Sequence, residues 1–230
     1  MSDPPFPRMV QLPGGSFMMG DDAGPLIERP AHLVRVAAFA IGVMPITRAE
    51  YDAFLQSTGR PSPSTWSSPE FADPLQPVVS VNWFDAEAYC EWLARMTGEL
   101  YRLPSEAERE YAARGGVEGA RYPWGENYPD PATPYVGGPW TSPLPCGQGL
   151  PNGFGLYHVG DTVHEWCLDH YAEDYYSVSP TENPPGPLTG RRRVARGGAW
   201  RHQVPVSRCA HRTSLPPDRC FTDFGFRVAK

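Results

Sequence analysis

Three helix-start signals, each followed by a glycine stop, are the feature that most constrains the fold of this chain. In each signal an acidic residue stands three positions after a capping side chain, the arrangement that satisfies free N–H groups at a helix start. The signals occupy residues 47–50, 82–85 and 105–108, and the stops are Gly59, Gly98 and residues 115–116. Glycine readily takes the left-handed conformation that ends a helix. The spacing therefore predicts three helices in the first half of the chain.

The rest of the pattern predicts short strands and long loops around these helices. Residues 9–20 predict a strand, a Gly-Gly turn and a second strand, and residues 32–41 alternate as in another strand. The 28 prolines and 23 glycines imply many turns, while 40% hydrophobic residues can supply a core. We therefore predict an α+β fold. Residues 1–230 are predicted to form a single domain, because no linker or repeat divides them.

Charge and cysteine content narrow the class of partner and the compartment. The net charge of −6 argues against a nucleic-acid partner, which normally meets a basic surface. No membrane partner is expected, because the sequence has neither a signal peptide nor an apolar run of ~20 residues. The five cysteines form no C-x-x-C pair, so we expect reduced thiols and a cytoplasmic location. Cys90 falls on the apolar stripe of the second helix and is predicted to be a core thiol.

The last 35 residues place an irregular stretch between two fixed ends, Arg-Gly-Gly-Ala-Trp at 196–200 and Gly-Phe-Arg-Val at 225–228. Arg208, Arg212, Arg219 and Arg227 recur in this part, and guanidinium groups are suited to bind irregular backbone carbonyls. A long non-periodic segment between fixed ends is typical of a functional loop. We interpret residues 196–228 as a C-terminal display segment. The alternative is an ordinary surface loop held by structural arginines.

Seven motifs in this order resemble the formylglycine-generating enzyme (sulfatase-modifying factor) family. They are Gly-Ser-Phe-Met-Met-Gly at 15–20, Arg-Leu-Pro-Ser-Glu-Ala-Glu at 102–108, Tyr-Pro-Trp-Gly at 122–125, Asn-Gly-Phe-Gly-Leu-Tyr at 152–157, Glu-Trp at 165–166, Arg-Gly-Gly-Ala-Trp at 196–200 and Gly-Phe-Arg at 225–227. The resemblance extends from about residue 9 to residue 230. It implies a C-type-lectin-like fold with short antiparallel strands, packed helices and much ordered loop. It is less specific for activity, because one fold hosts several functions.

The resemblance also implies a test for catalysis. Catalytic members of the family carry two cysteines after the Arg-Gly-Gly motif, which bind copper(I) and activate oxygen to oxidise a sulfatase cysteine. Counted without gaps from Arg196, these positions are His202 and Ser207. An imidazole and a hydroxyl do not replace the soft thiolate pair that copper(I) prefers. We therefore predict no copper, no catalytic residues and no formylglycine formation.

A calcium site is the second property that the resemblance implies. The family's ligands fall on the side chains of His158 and Glu165 and on the backbone carbonyls of Asp161 and Val163. Glu165 is a suitable ligand for a hard cation, whereas an imidazole at 158 is a poor one. The Asp161 carboxylate could compensate for it. The expected cofactor is therefore Ca²⁺.

Two further sets of polar residues have a structural interpretation. His158, His164 and His170, with neighbouring Glu165 and Asp169, could suggest a transition-metal cluster, but their spacing follows neither a helix nor a strand face. We interpret them as surface or hydrogen-bonded residues. Residues 106–110 carry three glutamates. Glu108 belongs to a capping box, and the other two are predicted to lie on a solvated helix face.

Three functions are compatible with these features. The first is a scaffold that binds a protein or a small molecule, as the variable proteins of diversity-generating retroelements in this family do. Its predicted ligand-binding residues are Trp200, Arg201, His202, Gln203, Val204, Val206, Ser207, Thr213, Ser214, Leu215, Phe221 and Thr222. The second is a metal-dependent oxidoreductase or maturation enzyme with an altered site, which needs a metal or a general base near His202, His211 or Cys209. The third is an adaptor module.

Overall fold

The computed structural model describes residues 6–126 and 140–230. It contains the helices α1 (Arg48–Thr58), α2 (Trp83–Thr97) and α3 (Glu106–Arg114). All three begin with a complete capping box and end at a left-handed glycine. The three predicted helices are therefore confirmed, together with their start and stop signals. No helix in these two ranges is long and apolar enough to cross a membrane.

The strands in the described part of the chain are short and form three small sheets. They are β1 (Met9–Leu12), β2 (Gly15–Met19), β3 (His32–Val36), β4 (Phe39–Gly42), β5 (His164–His170), β6 (Arg193–Arg196), β7 (Arg212–Leu215) and β8 (Phe224–Gly225). Strand β1 pairs with β4 and strand β2 with β3, both antiparallel. The third sheet has the order β7-β6-β5-β8. Its β5–β8 pair is parallel, which the expectation of antiparallel strands did not include.

The N-terminal strands differ from the sequence expectation in two ways. Strands β1 and β2 pair with other strands and not with each other, and the strand expected over 32–41 is divided into β3 and β4. Gly14, between β1 and β2, has a φ of 72°. A Cβ there would lie 2.6 Å from the carbonyl oxygen of Val36, so only glycine permits this close approach to the end of β3.

The C-terminal segment is more regular than the sequence indicated. It contains a 3-10 turn (Val204–Ser207) and the strands β7 and β8. Its last residues then return to the N-terminal half, where the N–H groups of Ala40 and Gly42 donate to the carbonyls of Lys230 and Val228. The end of the chain is therefore part of the framework that supports the loops before it.

Among the described residues, the core consists of two large buried clusters and a small third one of Phe71, Val79 and Val163. One large cluster joins α1 and α2 to the four-stranded sheet and includes Phe54, Tyr89, Trp166 and Phe226. The other large cluster joins α3 to strands β1–β4 and includes Ile41. Cys90 belongs to the first cluster and is 2% exposed, which confirms the prediction of a core thiol. Three helices around short strands give the predicted α+β class.

Candidate functional site

Two C-terminal loops meet at the end of the four-stranded sheet. The first follows β6, where Gly197 has a φ of 83° and packs against the carbonyl of Val159. The backbone N–H of Trp200 donates to Thr162 at 2.9 Å, and its indole Nε1 donates to the carbonyl of Thr222 at 3.1 Å. The loop after β6 is therefore fixed to the loop before β8. We call Trp200, Arg201, His202, Gln203, Phe221 and Thr222 the C-terminal rim.

The structure exposes only part of the predicted ligand-binding set. Arg201, Gln203 and Phe221 are exposed. Trp200, Ser207 and Ser214 are buried, and the other six (His202, Val204, Val206, Thr213, Leu215 and Thr222) are half-buried. Thr213, Ser214 and Leu215 lie in strand β7, where they pair with β6, and not in the irregular loop that the sequence indicated. The candidate surface is therefore smaller than predicted.

The fold brings His202 of the rim together with two residues buried beneath it, His164 and Asp223. Each offers one ligand atom, and the three atoms lie within 4.8 Å of one another. The Nε2 atom of His164 is 2.8 Å from Nδ1 of His202. The Nε2 atom of His202 is 3.4 Å from Oδ2 of Asp223. Among residues 6–126 and 140–230, this is the one group of three histidine, cysteine or acidic residues close enough to hold a metal ion.

The environment of the cluster fixes its hydrogen-bonding pattern. His164 Nδ1 contacts the carbonyl of Gly197, so this nitrogen carries the proton, because a carbonyl only accepts. Burial, reinforced by the nearby His202, lowers the pKa of His164 to about 3. The ring is therefore neutral at physiological pH, and Nε2 presents its lone pair to His202. Burial also lowers the pKa of His202, although Asp223 acts in the opposite direction.

Asp223 is buried and only partly satisfied. The residue is 2% exposed, and its Oδ2 accepts a hydrogen bond from Arg201 Nε at 2.9 Å. Its Oδ1 is buried and has no hydrogen-bond partner within the described part of the chain. An unsatisfied buried carboxylate oxygen is costly, since it has lost its water without a replacement. The cluster therefore contains a free ligand atom.

The residues at the family's copper positions do not fit copper(I). His202 belongs to the cluster, and Ser207 is buried with a hydroxyl as its only side-chain donor atom. The nearest cysteine in sequence, Cys209, is buried, and burial raises the pKa of its thiol to about 12. Copper(I) prefers thiolates, and this thiol is protonated at neutral pH. That the chain binds no copper stays a prediction supported by this donor set.

The residues of the expected calcium site have other partners in the structure. Glu165 is fully buried between Arg109 and Arg227, whose Nε atoms donate to its Oε2 at 2.7 and 2.6 Å. Although burial acts in the opposite direction, these guanidinium groups hold the pKa of Glu165 below its ordinary value. Nδ1 of His158 is 3.3 Å from Asp161 Oδ1, and its Nε2 accepts from the N–H of Gly147. Calcium at these residues and Val163 stays a prediction, and it would have to compete with two arginines for Glu165.

The prediction of a solvated glutamate face on α3 is wrong. Glu106 and Glu110 are 3% and 0% exposed. Glu106 accepts from Arg212 Nε at 2.7 Å, and Glu110 pairs with Arg196 and with Arg114. The face is buried because arginines of the C-terminal sheet neutralise it, which a pattern within one helix does not reveal.

Sequence reasoning did not find the cluster as a unit. It grouped His164 only with residues near it in sequence, named His202 separately as a ligand-binding residue, and did not select Asp223. One signal for the cluster is present in the sequence. His164 directly precedes the Glu-Trp motif, and Asp223 directly precedes residues 224–227. Those two motifs begin the parallel pair β5–β8, in which His164 lies opposite Phe224. His211 instead lies 3.7 Å from Glu28.

The fold and motif set identify the class of protein. The model of the sulfatase-modifying factor enzyme 1-like domain matches residues 2–230, and the chain belongs to this family. The formylglycine-generating enzyme of Streptomyces coelicolor is 35% identical, covering 96% of this chain and 88% of its own length. The serine/threonine-protein kinase pkn1 of Chlamydia pneumoniae is 34% identical over 99% of this chain, which spans only 38% of that kinase. The family resemblance is thereby confirmed.

Two solved structures share the fold over nearly the whole chain. PvdO from Pseudomonas aeruginosa superposes with a TM-score of 0.84 at 33% identity, covering 97% of this chain and 94% of PvdO. Treponema denticola variable protein 1 superposes with a TM-score of 0.85 at 24% identity, covering 96% of this chain and 94% of that protein. The second likeness establishes the fold alone. The C-type-lectin-like fold class is confirmed, and a single domain over residues 1–230 stays a prediction.

Proposed function

We propose that this chain is a binding member of the formylglycine-generating enzyme family and that it holds a protein or small-molecule ligand at the C-terminal rim. The observation that carries the proposal is the hydrogen bond from Trp200 to the carbonyl of Thr222, which joins two loops into one surface. Arg201 and Asp223 form a second link between the same loops at 2.9 Å. A surface fixed in this way loses little conformational entropy when it binds a ligand.

The chemistry of the rim favours recognition of a polypeptide. Phe221 is 42% exposed, and the side chain of Arg201 is 44% exposed. Aromatic residues and arginine are enriched at the centres of protein interfaces, where they contribute most of the binding energy. The proposal also includes a cytoplasmic location and the lack of a nucleic-acid or membrane partner. The net charge of −6 supports the lack of a nucleic-acid partner.

Panning a phage-displayed peptide library against the purified chain tests the rim directly. For the selected peptides we expect Phe221→Ala and Arg201→Ala each to weaken binding at least tenfold, the cost of a hot-spot residue. Leu100→Ala is the control, because this leucine is 89% exposed and lies outside the rim. Peptides that bind the three variants equally well, or a library that yields no binder, would contradict the proposal.

The sharper form of the proposal is that the rim is diversified, as in variable proteins of retroelements. Its support is that the residues between Gly198 and Phe224 are chemically mixed, whereas the ends that hold them are fixed by buried contacts. Sequencing the DNA that flanks the gene tests this form. We expect a near-copy of the segment for residues 199–224, differing at template adenines, beside a reverse transcriptase. The lack of both would exclude diversification and leave a fixed ligand.

One observation favours a second function, a metal-dependent oxidoreductase or maturation enzyme of the same family. His202 stands at a catalytic cysteine position and contacts His164, a buried neutral imidazole. One experiment separates this function from formylglycine formation. The copper-treated chain is incubated in air with a sulfatase-derived peptide that contains the target cysteine. We expect no formylglycine by mass spectrometry. Conversion of the cysteine would show that the chain keeps the family's reaction despite its altered residues.

A further inference from the structure

We propose that His164, His202 and Asp223 form a binding site for one divalent transition-metal ion. The site differs from the family's thiolate pair in every ligand atom, and it shares no residue with the expected calcium set. It does not require the rim to bind a ligand, so the two proposals can succeed or fail separately.

The three ligand atoms lie within 4.8 Å of one another, so side-chain movements of up to about 1.4 Å bring them to the spacing of ligands around a single ion. Two nitrogen ligands about 2.1 Å from a tetrahedral ion lie about 3.4 Å apart. His164 Nε2 and His202 Nδ1 are 2.8 Å apart, so the rings need to separate by about half an ångström. His202 can make this adjustment, because it follows Trp200 in a loop and its side chain is 35% exposed.

The surroundings already orient the ligands as a metal site requires. A metal-binding histidine usually donates its second ring N–H to a carbonyl or carboxylate, which fixes the tautomer. His164 does this through Nδ1 and the carbonyl of Gly197, so its Nε2 keeps a lone pair that would coordinate the ion in place of its present contact with His202. Arg201 holds one oxygen of Asp223, and the other oxygen has no partner among the described residues although it is buried. A bound cation would satisfy that oxygen.

The ligand types select the class of metal. Two imidazoles and one carboxylate suit zinc(II), iron(II) or cobalt(II), whereas copper(I) prefers sulfur and calcium prefers oxygen. Three protein ligands leave at least one coordination position for water or a substrate. That position has access to solvent, because His202 and Arg201 are partly exposed beside it. The geometry therefore describes an open site, not a closed structural one.

Titration of the metal-free full chain with cobalt(II) tests the site, since cobalt reports nitrogen and oxygen coordination through its visible absorption. We expect one cobalt per chain, confirmed by elemental analysis after gel filtration. We expect His202→Gln and Asp223→Asn each to weaken binding at least tenfold. His170→Gln is the matched control, because His170 lies at the other end of the same strand and should leave binding unchanged.

A thermal measurement keeps the test independent of folding defects. Zinc(II) should raise the melting temperature of the wild type and of His170→Gln, because an ion bound only by the folded state stabilises it. It should not shift that of His202→Gln or Asp223→Asn, provided that circular dichroism shows each variant folded. Binding of less than one ion per chain, or equal binding by all the folded variants, would overturn the proposal.

Discussion

At the residue scale, this protein is distinguished by charges that are buried in pairs. Glu165 accepts from Arg109 and Arg227, and Glu106 accepts from Arg212 through Nε and Nη2 at 2.7 and 3.0 Å. Burying an ion costs free energy that only a close partner of opposite charge offsets. These pairs therefore specify how the C-terminal sheet, the preceding loops and α3 fit together.

Glu165→Gln tests the importance of these pairs. The substitution leaves two buried guanidinium groups without their carboxylate, so we expect a loss of about 3–5 kcal/mol in the free energy of unfolding. Urea denaturation at pH 7 measures it. Glu182→Gln is the control, because this glutamate pairs with Arg35 on the surface, where both side chains are more than half exposed. A change above about 1 kcal/mol in the control, or below it at Glu165, would contradict this account.

Asp169 provides a pH-dependent prediction. Burial, reinforced by Glu106, raises the pKa of Asp169 to about 8. A raised pKa contributes stability that is full below the unfolded-state value of ~3.9 and is lost as pH rises towards 8. Asp169→Asn has no such titration, and its amide oxygen can still accept from the N–H of Glu106. The variant should therefore gain stability relative to the wild type between pH 5 and 8.

Parallel denaturation curves at several pH values measure this difference. Its slope should reach up to about 1.4 kcal/mol per pH unit, the value for one proton. The histidines titrate in the same range, but they are common to both proteins and cancel in the comparison. If the difference in stability stays constant from pH 5 to 8, Asp169 is already ionised in the folded protein throughout this range, which would contradict the prediction.

At the scale of the elements, the helices are determined by their ends. In α2, Asn82 accepts from the N–H of Asp85, and the Asp85 carboxylate accepts in return from the N–H of Asn82. Gly98 then ends the helix with a φ of 75°. Strands β5 and β8 depend on different information, because their pairing joins segments that are far apart in the chain. The helices therefore follow from local sequence, whereas the parallel pair does not.

Gly98→Ala tests the helix stop alone. A Cβ at this position meets no atom within 4 Å, so the cost comes only from the left-handed backbone. We expect a loss of about 1–2 kcal/mol for alanine, and a smaller loss for Gly98→Asn, since asparagine tolerates this conformation better. Thermal unfolding of the two variants measures the difference. Equal stability of both would show that the end of the helix shifts to relieve the strain.

At the scale of the whole molecule, the C-terminal residues pack against the N-terminal half of the chain. Its last residues add hydrogen bonds to β4, and Arg102 exchanges two backbone bonds with Ala229. Phe226 is fully buried against Tyr51 of α1 and Tyr89 of α2. The loops of the rim therefore lie between two segments that belong to the core, which holds them in place without regular structure of their own.

Phe226→Ala and Phe221→Ala form a matched pair at this scale. Removing the buried ring should cost about 3–5 kcal/mol, because the cavity lies where both helices meet the C-terminal segment. Removing the ring of Phe221 should cost only about 1 kcal/mol, since this ring is 42% exposed and its removal leaves no closed cavity. Chemical denaturation measures both. A large loss at Phe221 would show that this residue supports the fold and would weaken its use as a binding probe.

The sequence by itself determined the parts of this protein that depend on neighbours along the chain. The capping boxes at Thr47, Asn82 and Ser105 and the glycine stops act within one helical turn, so their pattern was sufficient to place α1, α2 and α3. The ordered motifs were likewise sufficient for the family and its fold class. The replacement of the family's two copper-binding cysteines by His202 and Ser207 could also be read without a structure.

Only the tertiary structure decided which polar residues meet. Glu106 and Glu110 resemble solvated residues until arginines from the C-terminal sheet cover them. His164 and His202 are 38 residues apart, and Asp223 joins them because β8 lies parallel to β5. Burial and charge pairing depend on the whole packed arrangement, and no local period records them. The candidate metal site is therefore a property of the fold, built from residues that the sequence leaves unrelated.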